Sequence, residues 1–250
     1  MSWRTRELPN SGSGTSRPFL ISFSGIDGAG KTTQIERLSA CLEQQGLRVL
    51  RLSFWDDIAV WPGVRTAAGD HALDFYQKGR PAADLFTPRN HKHIQRWYLT
   101  VARSGLYALD VLHLHRVLAR SNVRYSDVVI FDRYIYDQIA NIDSRSRLGE
   151  LYRRILVTQS PSPDLAFILD ASPALAFARK PEYPLEFVYR NRRTFLRLHE
   201  SIPQLITIPE GEVQDVEKEI YGYICRSRLG LMAANRADTV VGATSAVGPE

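Results

Sequence analysis

The residues best equipped for chemistry stand at Gly25-Ile26-Asp27-Gly28-Ala29-Gly30-Lys31-Thr32-Thr33, between an apolar run and an amphipathic one. Glycines there open backbone conformations closed to residues with a Cβ, so successive amides can turn inward on a single anion. A helix starting at Lys31 would aim its positive end at the same anion. This is the pattern of a phosphate-binding loop. In it Lys31 reaches the β- and γ-phosphates of a nucleoside triphosphate, and the Thr32 hydroxyl completes a Mg²⁺ shell. Lys31 is accordingly expected to face ligand rather than core. A second constellation closes "VVIFDRY", where Asp132 is followed by Arg133. An acid beside a cation suits a Mg²⁺–phosphate site from which phosphoryl passes to a second small substrate, with Asp132 a metal contact like Thr32.

Such residues act together only if one sheet brings them together. Strand-like runs occur at Phe19–Ser24, Arg48–Ser53, Asp127–Phe131, Leu165–Leu169 and Leu205–Ile208, each short and separated from the next by helix-length segments. Lys31–Gln45, His91–Arg120, Glu186–Ser201 and Val213–Arg228 have helical spacing. Alternation of this kind implies an α/β fold of three layers, a five-stranded, mostly parallel sheet with helices on both faces. Ligands of such sheets lie beyond the carboxyl ends of the strands. Both constellations fall there.

With 250 residues and 44% hydrophobic content, one core is affordable. A single domain over 18–230 is expected, with polar, disordered tails at 1–17 and 231–250. No apolar run is long enough for a bilayer, which points away from a membrane protein. Cys41 and Cys225 lie far apart in helix-like patterns, fitting reduced, buried thiols in a cytosol. The formal charge of +5 asks for an anionic partner. Its cations are scattered, so a phosphorylated small molecule accounts for it without nucleic acid. A signalling GTPase would carry a guanine-reading Asn-Lys-x-Asp after a strand, and the nearest string, Asn235–Asp238, lies in the polar tail. A motor ATPase usually ends its second strand in paired acids, not in Asp-Arg.

In order and spacing, "GIDGAGKTTQ", "VVIFDRY" and "PDLAFILDASPALAFAR" resemble the thymidylate kinase family, and the similarity runs from about Pro18 to Ser227. The resemblance implies a P-loop nucleoside-monophosphate kinase fold, ATP with Mg²⁺ as donor, dTMP as acceptor, a homodimer in the cytoplasm, and a short lid at about 180–189. Arg179, Lys180, Arg190, Arg192 and Arg193 are then the cations available to the lid. Because position 29 is Ala, the loop lacks the arginine some members place there, and lid arginines such as Arg179 and Arg193 would stand in. Their guanidinium groups would neutralise charge on the transferring phosphoryl, alongside Lys31, Asp132 and Arg133. Arg103 matches the arginine that faces the acceptor nucleotide. Phe54, Asp56, Tyr107 and Arg133 complete the expected acceptor contacts, with Asp27 and Asp170 as contacts to Mg²⁺ waters or the acceptor sugar.

The acceptor region departs from the family. Where an arginine-bearing stretch normally follows the second strand, this chain reads "SFWDDIAVWPGVR", and "DRYIYDQIAN" lacks the usual Ala-Tyr-Gln. Asp56 with Trp61 is similar instead to the deoxynucleoside kinases, in which a carboxylate serves as base toward a 5′-hydroxyl. Two acceptor classes follow, a nucleoside monophosphate or a nucleoside, and the first is favoured because the loop, "FDRY" and "LDASP" are closer to the thymidylate kinases. A non-catalytic nucleotide-binding protein is disfavoured by the joint presence of Lys31, Thr32, Asp132 and Arg133. The pairs His91/His93 and His113/His115 tempt a zinc reading, but i,i+2 residues on a helix point to different sides.

Overall fold

Six consecutive buried residues, Phe19–Ser24, form β1, the strand from which the rest of the molecule is hung. In the computed structural model, residues 17–60, 93–140, 142 and 147–234 are described, with side chains from 104 onward in the first long helix after the gap. After β1 come α1 (Lys31–Gln44), β2 (Val49–Ser53) and a π-helical turn at Phe54–Ile58. Next follow α2 (His93–Leu118), the short α3 (Ser121–Tyr125), β3 (Val128–Asp132), α4 (Ile135–Ile139) and α5 (Arg147–Gln159). The chain continues through β4 (Leu165–Leu169), α6 (Pro173–Arg179), α7 (Leu185–Ser201), β5 (Leu205–Ile208) and α8 (Val213–Cys225).

All four strand pairings are parallel, in the order β2-β3-β1-β4-β5. Side chains alternate across a strand, and each face of this sheet is buried under its own helices. Phe19, Ile21, Phe23, Ile130 and Phe167 pack with α1 and α8 into one cluster. Leu20, Val129, Phe131 and Ile168 belong to a second cluster with α2, α4, α5 and α7. Three layers result, as the alternation implied.

Register fixes where chemistry can occur. Phe23 pairs with Asp132, Ser53 with Asp132, and Ser24 with Ile168, so the carboxyl ends of β1, β2, β3 and β4 come out on one edge. At β1 the sheet order switches direction, with β3 on one side and β4 on the other. A crevice opens at such a switch point. The thiols correct the sequence reading in part: both are free, but neither is buried, Cys41 being half-buried and Cys225 exposed.

Candidate functional site

The turn between β1 and α1 is shaped by what surrounds it. Gly25 has φ 135°, and a Cβ there would stand 2.5 Å from the Leu169 carbonyl oxygen. Gly28 has φ 84°, and a Cβ would meet the Ala176 carbonyl oxygen at 2.4 Å. Neither contact yields, because both partners are backbone of β4 and α6. Only glycine lets the loop nest this closely. Ile26 is buried and anchors the loop to the core, Ala29 is partly buried against both core clusters, and Gly30 caps α1 with no side-chain hydrogen bond. The first-turn amides of α1 are thus left for an anion. Thr32 and Thr33 are exposed on that turn.

Lys31 departs from the expectation that it faces only ligand. Its side chain is 7% exposed, and Nζ donates to the carbonyls of Gly25 at 2.9 Å and Ile26 at 2.8 Å. Asp27 Oδ1 stands 3.9 Å away. Burial, helped by the nearby Arg133 charge, lowers its pKa to about 8 against the pull of Asp27. The loop's own carbonyls thus occupy the ammonium.

A cleft of about 610 Å³ opens beside the loop, and Lys31, Thr32, Asp132, Arg133 and Arg179 all line it. Ser53, Trp55 and Asp56 close its other side. Asp132 ends β3 and Asp56 lies on the π-helical turn, so adjacent strands deliver them. Arg133 follows with φ 67°, its N–H bonded to the Phe23 carbonyl at 2.9 Å. Its guanidinium donates to Asp27 and, at 3.2 Å, to Asp137. Asp137 Oδ2 in turn accepts from the Ser24 hydroxyl at 2.6 Å and the Tyr134 N–H at 3.2 Å. Burial holds this carboxyl above the usual range, opposed by Arg133 and Ser24.

The lid cations part company. Arg179 Nη1 donates to the Gly28 carbonyl at 3.3 Å. Lys180 pairs with Glu182 at 3.2 Å. Arg192 forms a two-pronged pair with Asp170 at 2.6 and 2.7 Å, so neither is poised at the cleft as expected. Arg190 and Arg193 are exposed on α7, and Arg193 makes no ion pair among the described residues. Tyr183 stacks on Phe187, ring centroids 4.9 Å apart, close enough to Asp27 for that carboxylate to help burial raise its phenol pKa.

Two expected acceptor contacts face the core instead. Phe54 is fully buried and Tyr107 nearly so, because the inner sides of the π-helical turn and of α2 pack onto the sheet. Trp55, edge-on to Phe54 and 40% exposed, is the aromatic that reaches the cleft. Asp57, the neighbouring carboxylate, accepts the Ser53 N–H at 2.7 Å and caps the turn. The Arg103 side chain, Trp61 and His91 lie outside the described residues. His113 and His115 bind the carbonyls of Ile58 and Gln159. Sequence reasoning missed Gln138 altogether. Its carboxamide is buried on α4 with both ends unpaired, an arrangement costing on the order of 1–3 kcal/mol per unmet group unless something arrives to pair it. Its position six residues past Asp132 was the available signal.

Comparison with known proteins bears on this geometry. The chain is 31% identical over 210 residues to a thymidylate kinase of Bifidobacterium longum (strain DJO10A), covering 79% of this chain and 91% of that protein. Against a probable thymidylate kinase of Pyrococcus horikoshii the identity is 25% over 227 residues, covering 86% and 100%. Among solved structures, thymidylate kinase from Candida albicans matches with a TM-score of 0.52 at 18% identity, over 83% of this chain and 91% of that one, a likeness of fold. No family model matches the chain.

Proposed function

Because the chain belongs to the thymidylate kinase family, we propose that it transfers the γ-phosphoryl group of ATP to dTMP, giving dTDP and ADP. The observation that carries this reading is the single cleft in which Lys31, Asp132, Arg133 and Arg179 converge at the carboxyl ends of the strands. A monophosphate acceptor brings an oxygen nucleophile that is already ionised. It needs cations to hold it rather than a base to activate it, and this cleft is rich in cations.

In this reading the loop from Gly25 to Thr33 cradles the ATP phosphates. Lys31 leaves the loop carbonyls for the β- and γ-oxygens, and Arg133 and Arg179, joined by Arg193 from α7, neutralise the transferring group. Asp27 restrains Arg133 and Lys31. Thr32 and Asp132 offer Mg²⁺ a hydroxyl and a carboxylate on one cleft, the hard oxygens it prefers. When bound, Mg²⁺ supplies neutralisation of charge on the phosphate oxygens. On the acceptor side Trp55 offers a stacking surface, Asp56 a sugar contact, and Gln138 a group that both donates and accepts, as a pyrimidine edge requires. Arg103 is assigned to the acceptor phosphate on the family resemblance alone. The domain is taken to span 18–230, with residues 180–189 as the lid. The reading further takes small nucleotides rather than nucleic acid or membrane as partners, a homodimer as the working assembly, and a reducing cytoplasm, where free Cys41 and Cys225 persist.

Incubating the protein and Mg-ATP with dTMP and with thymidine in parallel tests the proposal. dTDP is expected as the dominant product, and faster turnover of thymidine overturns it. Asp56→Asn separates the same alternatives. It should raise the acceptor KM and spare kcat, whereas a kcat collapse of roughly 10²–10⁴ would mark Asp56 as a general base.

A further inference from the structure

Arg133 holds the only positive φ outside glycine among the described residues, 67°. For a side chain of this kind that conformation costs on the order of 1–3 kcal/mol, so the surroundings must enforce it. One restraint is the bond from its N–H to Phe23. Others grip the guanidinium from two sides, and the two carboxylates that do so differ. Asp27 belongs to the loop and is 23% exposed on the cleft. Asp137 lies behind Arg133 with a side chain 5% exposed. Its far oxygen is fixed by the hydroxyl of Ser24, the last residue of β1, and by the Tyr134 amide that opens α4.

Asp137 caps the first turn of α4 through Oδ2, which accepts the Tyr134 N–H, but its other oxygen, Oδ1, is turned to Arg133 and takes no part in that cap. Ile135, Tyr136 and Ile139 already seat the helix in the core. Burying a carboxylate costs several kcal/mol unless a cation and further donors compensate it, and here the cation is a residue of the cleft. An anchor fixed to β1 cannot swing away when ligand competes for Asp27.

We propose that Asp137 is a positioning residue for phosphoryl transfer: held by Ser24 and the Tyr134 amide, its carboxylate fixes the Arg133 guanidinium over the phosphate loop, oriented toward the transferring phosphoryl. This rests on the kinase reading above. Asp137 never touches substrate and acts through Arg133. Its effect therefore falls on kcat, and it vanishes when Arg133 is gone.

A double-mutant cycle reads this out. Asp137→Asn in the otherwise native enzyme should lower kcat roughly 10- to 100-fold while ATP affinity, measured by calorimetry, shifts less than about 3-fold. In an Arg133→Ala background the same change should cost less than about 2-fold. Added guanidinium ion should restore part of the Arg133→Ala turnover only while Asp137 is present. A loss of equal size in both backgrounds would show a merely structural carboxylate and overturn the proposal. Should Asp137→Asn fail to fold, Ser24→Ala removes one aiming donor and keeps the charge. It should give a loss of a few fold in kcat alone, again absent without Arg133. If the native protein turns over no nucleotide, the kinase reading fails by itself. The positioning claim is then decided by the Arg133 Nη1–H resonance, on the nitrogen that donates to Asp137, which should be slow to exchange in the native protein and fast in Asp137→Asn. Equal exchange in both overturns it.

Discussion

Lys31 keeps its charge in surroundings that work against it, and this can be read in solution. With a folded pKa near 8 and an ordinary value of 10.5, the unfolded chain binds more protons between those limits than the native one. Stability of the unliganded protein should therefore rise with pH from about 8 to about 10.5, by roughly 3 kcal/mol from this group, and the rise should fade as pH falls through 8. Denaturant titrations across that window check it, with Lys31→Met as the flat control. ATP reverses the balance, since phosphates stabilise the ammonium. Binding at pH 9 should take up close to one proton, seen by calorimetry in buffers of different ionisation enthalpy, and Lys31→Met should take up none. The lysine was legible in the sequence because a phosphate loop is local: glycines, lysine and hydroxyl are fixed by spacing within one turn. Asp137 was not, because its partner Ser24 is 113 positions away and only the sheet register joins them. Phe54 and Tyr107 were misplaced for a related reason. An aromatic residue fits a base or a core equally well, and only the side it takes on its helix decides.

Among the elements, α6 and α7 with the link between them reach over the loop, and their cations are not equivalent. Arg179 sits on the Gly28 carbonyl, within the cleft, while Arg192 is engaged by Asp170. Arg179→Ala should lower kcat by about 10-fold or more and change ATP affinity little, because its contact strengthens as charge spreads in the transition state. Arg192→Ala should instead leave kcat within about 3-fold and loosen α7, since a partly exposed pair contributes on the order of 1 kcal/mol or less. Limited proteolysis at 180–184, with and without a two-substrate analogue, reads that loosening. An Arg192→Ala enzyme that loses kcat as Arg179→Ala does would make Arg192 a catalytic cation after all. Of these elements the strands were plain from sequence, because a parallel sheet buried on both sides must be built from short apolar runs between helices. Long α1, α7 and α8 announced themselves by period. α4 and α6 did not, since five and seven residues are too few to display one. The π-helical turn after β2 has no sequence signature, yet it decides that Trp55 and Asp56, not Phe54, reach the cleft.

At the scale of the molecule, the layered sheet leaves one apolar surface unaccounted for. α5 buries Leu156 and packs Tyr152 on the core, but Leu148, Leu151 and Ile155 beside them stay 79%, 56% and 48% exposed. Leu109 and Leu112 are also exposed on α2, the helix against which α5 packs. Single exposed leucines are ordinary, but a row at i, i+3 and i+7 is a helix face with no partner among the described residues. In a symmetric pair each copy would lay this row on the other's, hiding both without a second kind of surface. Sedimentation equilibrium should therefore give twice the 28.4 kDa chain mass at micromolar concentration. Leu151→Arg places two like charges at the centre of such an interface, which should weaken association by about 100-fold or more and leave the chain mass alone in the cell. Neither α5 nor Leu151 lines the phosphate cleft, so ATP binding by the variant should be unchanged. A native protein sedimenting as the single chain throughout that range would refute the dimer and leave the α5 row as plain surface.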